Sequence, residues 1–88
     1  MPIKVINAQA TCANLKKLLE EKGLTPNDVK ERLNLESVQS IYKWYSTANG
    51  KGTCIPSTDN LVILANLLGV PMDSIIVTND VLNGIMNP

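Results

Sequence analysis

The segment that most constrains this chain is Leu24–Ile41, LTPNDVKERLNLESVQSI. Thr25 is placed to cap a helix, Pro26 suits its first position, and Asp28 at the third completes a capping box. Val29 and Leu33 point inward with Leu35 from the turn, while Lys30, Glu31 and Arg32 point out. Asn34 suits the left-handed residue that ends such a helix. Ser37 is then expected to cap a second helix running to about Tyr45 or Ser46. Ile41 and either Trp44 or Tyr45 face the core there, leaving Val38, Gln39, Tyr42 and Lys43 on the other side. Two helices joined by so tight a turn must cross steeply, which is the layout of a helix-turn-helix. Such a unit presents its second helix to the major groove of DNA.

The flanking sequence supplies the rest of a helical domain. A first helix is expected from about Asn7 or Ala8 to Lys22. Its apolar face is Ala8, Cys12, Leu15, Leu18 and Leu19, its outer face is Lys16, Lys17, Glu20 and Glu21, and Gly23 suits its C-cap. Ser46–Ile55, STANGKGTCI, reads as a loop with Lys51 between two glycines. A fourth helix follows Pro56, with Ser57 as cap, Asp59 in the first turn and Leu61, Leu64, Ala65 and Leu68 on one stripe, and Gly69 ends it. Val62, Ile63 and Leu67 lie off that stripe, so this helix is either central or touches a partner chain. Pro71, Met72 and Asp73 open a fifth helical turn leading into Ile75–Val77. Ile3–Ile6 and Ser74–Thr78 have β-branched character and are expected to pair as a two-stranded antiparallel ribbon. Asn79–Pro88, with Val81, Leu82, Ile85 and Met86, reads as a short docking helix or a frayed end.

The expected fold is therefore all-α, a compact bundle of four to five short helices with that small ribbon. One domain is expected over residues 1–88, with a core at about 8–77 and a tail at 79–88. Apolar residues are 44% of the chain, but there is one Trp, two Tyr and no Phe, so the core must be aliphatic. Cys12 and Cys54 lie far apart with no CxxC pattern, and no secretory signal is read. Neither a zinc site nor a disulfide is expected, and Cys12 reads as a small buried hydrophobe with Cys54 as a loop thiol. The apolar run Leu61–Val70 is broken by Asn66 and Gly69 and is too short to span a bilayer. A soluble, cytoplasmic protein is expected. Net charge is zero, but it is unevenly spread. All eight Lys and Arg fall in residues 1–55 against five acids, net +3, while residues 56–88 carry only Asp59, Asp73 and Asp80, net −3. A dipolar domain offers phosphates one basic face. With no His, no Gly-rich phosphate loop before a helix and no paired acids with an obvious cleft, an enzyme is not expected, nor is a cofactor or metal.

The segment Leu15–Val77 resembles the DNA-binding domain of the phage-repressor (XRE, Cro-like) helix-turn-helix family. The elements that carry the likeness are LKKLLEEKGLT, DVKERLNL, SVQSIYKW and PSTDNLVILANLLGV, in that order. The resemblance implies a sequence-specific, repressor-like regulator that binds double-stranded DNA, commonly as a dimer on two half-sites. Three features differ from the family pattern. Pro26 stands where the family carries a phosphate-contacting Gln, the turn Asn34–Ser37 is longer and contains Glu36, and the loop before the fourth helix is extended.

With the third helix in the major groove, Val38, Gln39 and Tyr42 are the expected base contacts. Gln39 pairs bidentately with adenine and Val38 packs on a thymine methyl. Ser40, Lys43, Ser46, Asn49 and Lys51 are the expected phosphate contacts, which set register. Trp44 belongs to the core. Val62, Ile63, Leu67 and the tail are the expected homodimer contact. The competing reading is a protein-interaction module of the same fold that has lost DNA binding, favoured by zero net charge, Glu36 and Pro26.

Overall fold

Three of the four helices among the described residues begin at a side-chain cap, and those caps set where the helices start. The computed structural model describes residues 3–82 and 85–86. Helix α1 (Ala8–Glu21) begins at Asn7, whose side-chain oxygen accepts from the Ala10 N–H at 2.9 Å. Helix α2 (Pro26–Arg32) begins with a complete capping box. The Thr25 hydroxyl accepts from the Asp28 N–H at 3.2 Å, and the Asp28 carboxylate accepts from the Thr25 N–H at 2.9 Å. Helix α4 (Thr58–Leu68) begins at Ser57, which accepts from the Asn60 N–H at 3.2 Å. Helix α3 (Gln39–Ala48) is the exception, with Val38 at its cap and no capping side chain.

All four helices stop by the same device. A residue in the left-handed region reverses the chain, and the next N–H bonds to a carbonyl five residues back: Leu24 to Leu19, Leu35 to Lys30, Lys51 to Ser46 and Val70 to Ala65. The reversing residue of α2 is Asn34, at φ 55°, the one non-glycine in that region among the described residues. Asn tolerates that conformation because its short polar side chain bonds locally.

The stripes between these stops make one core. Cys12, Leu15 and Leu19 of α1, Val29 of α2, Ile41 and Trp44 of α3, and Leu61, Leu64 and Leu68 of α4 are buried, with Ile75 beneath them. α1 packs along α3, α2 rests against α3, and α4 meets the short 3-10 turn Met72–Ser74. Strands β1 (Ile3–Ile6), β2 (Thr78–Leu82) and β3 (Ile85–Met86) form an antiparallel sheet in the order β1-β2-β3. Ile3 stands opposite Val81 and Ile6 opposite Thr78. Among the described residues the fold is thus mainly helical, four helices with a small antiparallel sheet.

A buried threonine joins sheet to helices. The Asn7 N–H donates to the Val77 carbonyl at 2.8 Å, extending the β1–β2 ladder by one rung. The Thr11 hydroxyl then accepts from the Val77 N–H at 2.9 Å and donates to the Val77 carbonyl at 3.1 Å. Thr11 is fully buried, and Asn14 on the same helix donates to the carbonyls of Ser74 and Ile75.

This clamp explains one of three corrections. The strand expected over Ser74–Thr78 begins only at Thr78, because Met72–Ser74 turn behind Pro71, Ile75 is buried and Val77 is bonded to Thr11. The tail expected as a short docking helix or a frayed end is strand at Thr78–Leu82 and Ile85–Met86, so the ribbon has three strands rather than two. Residues 83, 84, 87 and 88 lie outside the described residues. The third helix starts at Gln39 rather than behind a Ser37 cap, and it runs to Ala48, so Ser46–Ala48 are helical rather than loop. Val62 and Ile63, off the buried stripe of α4, are 45% and 40% exposed.

Thr11→Val keeps the shape and deletes both hydrogen bonds, leaving the Val77 N–H unpaired. Urea denaturation is expected to show a loss of about 1–3 kcal/mol, with Thr11→Ser retaining most of the stability. A Thr11→Val variant as stable as the parent contradicts the clamp.

Candidate functional site

The outward face of α3 gathers most of the residues singled out above. Gln39, Tyr42, Lys43 and Ser46 recur at the three- and four-residue spacing of one helical face, and all are exposed. Ile41 and Trp44 on the opposite side are buried, while Tyr45 and Ala48 pack against the core. Trp44 therefore lies in the core and Tyr45 at its edge. Tyr42 is 53% exposed and is the largest apolar-bodied side chain that α3 leaves uncovered. Asn49, the C-cap of α3, is exposed beyond Ser46. Val38 is half-buried just before the helix. Ser40 is half-buried on the flank and does not share the face of Gln39 and Tyr42.

Lys51 stands apart from its counterparts at the other helix ends. Leu24, Leu35 and Val70 occupy the same position after the reversing residue, and each packs on the core. Lys51 is exposed there, its N–H bonded to Ser46 at 2.8 Å behind Gly50 at φ 85°. An apolar side chain normally covers the helix end at this position. Here a cation projects from the C-terminal end of α3 instead.

The two helix N-termini near the turn differ in what they offer an anion. At α2, Pro26 has no N–H and the Asp28 carboxylate already occupies the cap. At α3 the first turn carries no acid, and the nearest side chain, the Ser37 hydroxyl, accepts from the Gln39 N–H at a long 3.4 Å. The dipole of α3 is the less compensated of the two. Two hydrogen bonds from Thr25, its N–H first and its hydroxyl second, hold the Asp28 carboxyl below its ordinary pKa.

Three residues gain roles that the sequence reading did not assign. Lys16 of α1 places its Nζ 5.5 Å from the centroid of the Tyr45 ring, bringing a cation to the edge of α3. Burial raises the Tyr45 pKa, and Glu20 and Tyr42 raise it further. Lys16 lies four residues after Cys12 and three before Leu19, a spacing that already sets it beside the buried stripe. Thr11 and Thr47 are the other two, both fully buried polar residues. Thr11 lies four residues before Leu15 and Thr47 three after Trp44, which was the available signal.

Both cysteines are free, Cys12 buried and Cys54 exposed. Burial pushes the Cys12 thiol up to about 11, the neighbouring Cys54 adds to this, and a hydrogen bond with Thr47 opposes it. Cys12 is thus a protonated, inert thiol at neutral pH. A shallow depression of about 250 Å³ between α1 and α3 is lined by Asn7, Gln9, Ala10, Ala13 and Ala48, none of them titratable. Among the described residues no group of three or more His, Cys, Asp or Glu could hold a metal ion, and no helix is long and apolar enough to cross a membrane. No family model, curated protein or solved structure matches this chain.

Because Asp28 is held ionised in the native state, it stabilises the fold at neutral pH, and that contribution is lost as pH falls through its lowered pKa. The melting temperature of Asp28→Asn is expected to lie below that of the parent at neutral pH, with the gap closing in acid. A gap that is constant with pH contradicts the assignment.

Proposed function

We propose that this protein binds double-stranded DNA as a small, repressor-like transcriptional regulator of the phage-repressor (XRE, Cro-like) helix-turn-helix type. One observation carries the reading: α3 turns Gln39, Tyr42, Lys43 and Ser46 outward as a single polar face, opposite the buried Ile41 and Trp44. Ten residues of helix span about 15 Å. The major groove is about 12 Å wide, so a helix of this length lies within it and brings its ends to the two backbones.

In this placement α2 is the supporting helix of the motif and α3 the reader. Gln39 pairs with adenine through its amide, Val38 meets a thymine methyl at the entry, and Tyr42 sits one turn deeper. Lys43, Ser46 and Asn49 contact phosphates along the helix, Ser40 does so from its flank, and Lys51 does so from its end. The open first turn of α3 adds backbone donors for a phosphate oxygen. Two copies meet through Val62, Ile63 and Leu67 of α4 and the C-terminal strands, which sets two half-sites about one helical turn apart. Such a regulator works in the cytoplasm alongside its DNA.

The second reading, a protein-interaction module of this fold, is favoured by the Asp28 carboxylate and Pro26 at the start of α2, which remove a usual phosphate anchor. The two readings differ in salt dependence. Selection from random duplexes, followed by anisotropy titration at several salt concentrations, is expected to return a two-half-site sequence whose affinity falls steeply with salt. Lys43→Ala weakens all duplexes alike and lowers the log–log slope by about 0.9. Gln39→Ala costs about 1–3 kcal/mol at one base pair only. Failure to bind any duplex at low salt refutes the DNA reading and leaves the interaction module.

A further inference from the structure

The loop between α3 and α4 is attached to α3 at both of its ends. At one end the Lys51 N–H bonds to the Ser46 carbonyl at 2.8 Å. At the other, the Thr47 hydroxyl donates to the Cys54 carbonyl at 2.7 Å. Ser46 and Thr47 are neighbours, so residues 51–54 leave and return to one turn of the recognition helix. The Thr47 hydroxyl has a single hydrogen and also lies 3.0 Å from the Lys43 carbonyl within its own helix, but its contact with Cys54 is the shorter. The Cys12 thiol of α1 donates to the same Cys54 carbonyl at 3.4 Å. Thr47 and Cys12 are both fully buried, so both donors to this carbonyl come from the interior.

We infer that Thr47 is a positioning residue that makes the loop a rigid extension of α3, so that Lys51 and the outward face of α3 act as one surface. The inference rests on the proposed DNA reading for its consequence, but not for its geometry. Lys51 has no apolar anchor of its own, unlike Leu24, Leu35 and Val70 after the other helices. With glycines on both sides, at φ 85° and 97°, its backbone would otherwise be among the least constrained in the chain. The Cys54 carbonyl, held by two buried donors, supplies the missing constraint from the far side of the loop. A lysine fixed in this way reaches a phosphate without first giving up loop freedom, which improves the contact it makes.

Nitrogen-15 relaxation on the unaltered protein is the first arm of the test. The amides of Gly50–Thr53 are expected to show order parameters of about 0.85, matching α3, and values below about 0.6 overturn the inference. In Thr47→Val these amides are expected to loosen while α3 stays ordered, and Thr47→Ala carries the same expectation if Val does not fit the site. Thr47→Ser is expected to restore order. In duplex binding, Thr47→Val lowers the log–log salt slope by about 0.9, as Lys51→Ala does, and the double variant lowers it no further. A merely structural role for Thr47 reduces stability without changing that slope. A Thr47→Val protein with an ordered loop or the parental slope overturns the inference. If the parent binds no duplex, the DNA reading alone fails, and the relaxation arm still decides whether Thr47 holds the loop.

Discussion

The packing of α1 along α3 is the contact on which the rest of this small domain depends. Cys12, Leu15 and Leu19 meet Ile41 and Trp44 in an aliphatic core that has a single tryptophan and no phenylalanine. Each large side chain fully buried there contributes about 1.5–3 kcal/mol. Two threonines make the contact specific rather than merely apolar. Thr11 fastens α1 to Val77 and so to the sheet, and Thr47 fastens α3 to Cys54 and so to its loop. Because α1 carries both Thr11 and the Cys12 thiol that meets Cys54, one helix references the sheet, α3 and the loop to each other.

The parts of this fold that were legible in sequence are those determined by neighbouring residues. α1, α2 and α4 announce themselves through Asn7, Thr25–Asp28 and Ser57 at their starts and Gly23, Asn34 and Gly69 past their ends. The C-terminal extent of α3 was misread because Ser46 and Thr47 look like loop residues. The buried Thr47 hydroxyl instead bonds outward to Cys54, and the true stop is Gly50. The second strand was misplaced because pairing between residues 72–82 and the N-terminus is a long-range event, settled by where Thr11 meets Val77. No pattern within SIIVT contains that information.

The candidate site divides in the same way. The outward face of α3 follows from helical spacing, so Gln39, Tyr42, Lys43 and Ser46 were brought together as expected. Ser40 was grouped with them although its position on the helix sets it on the flank, half-buried. Lys16 was missed because its relation to Tyr45 crosses between helices. With zero net charge the domain has little long-range pull on a polyanion, so any DNA affinity must come from local contacts: Lys43, Lys51 and Lys16 around α3, against Asp28 at the start of α2. This balance explains why charge composition alone says little about this chain and the arrangement around α3 says more.

The most direct test of the proposed DNA reading is to map which residues respond to an added duplex. Amide chemical shifts of the labelled protein, followed while a random-sequence duplex is added at low salt, report contact residue by residue. The account predicts the largest changes at Gln39, Tyr42, Lys43, Ser46 and Lys51, with buried Leu15 and Leu64 little affected. Shifts centred on Val62 and Ile63 with α3 unchanged, or no shifts at all, contradict it.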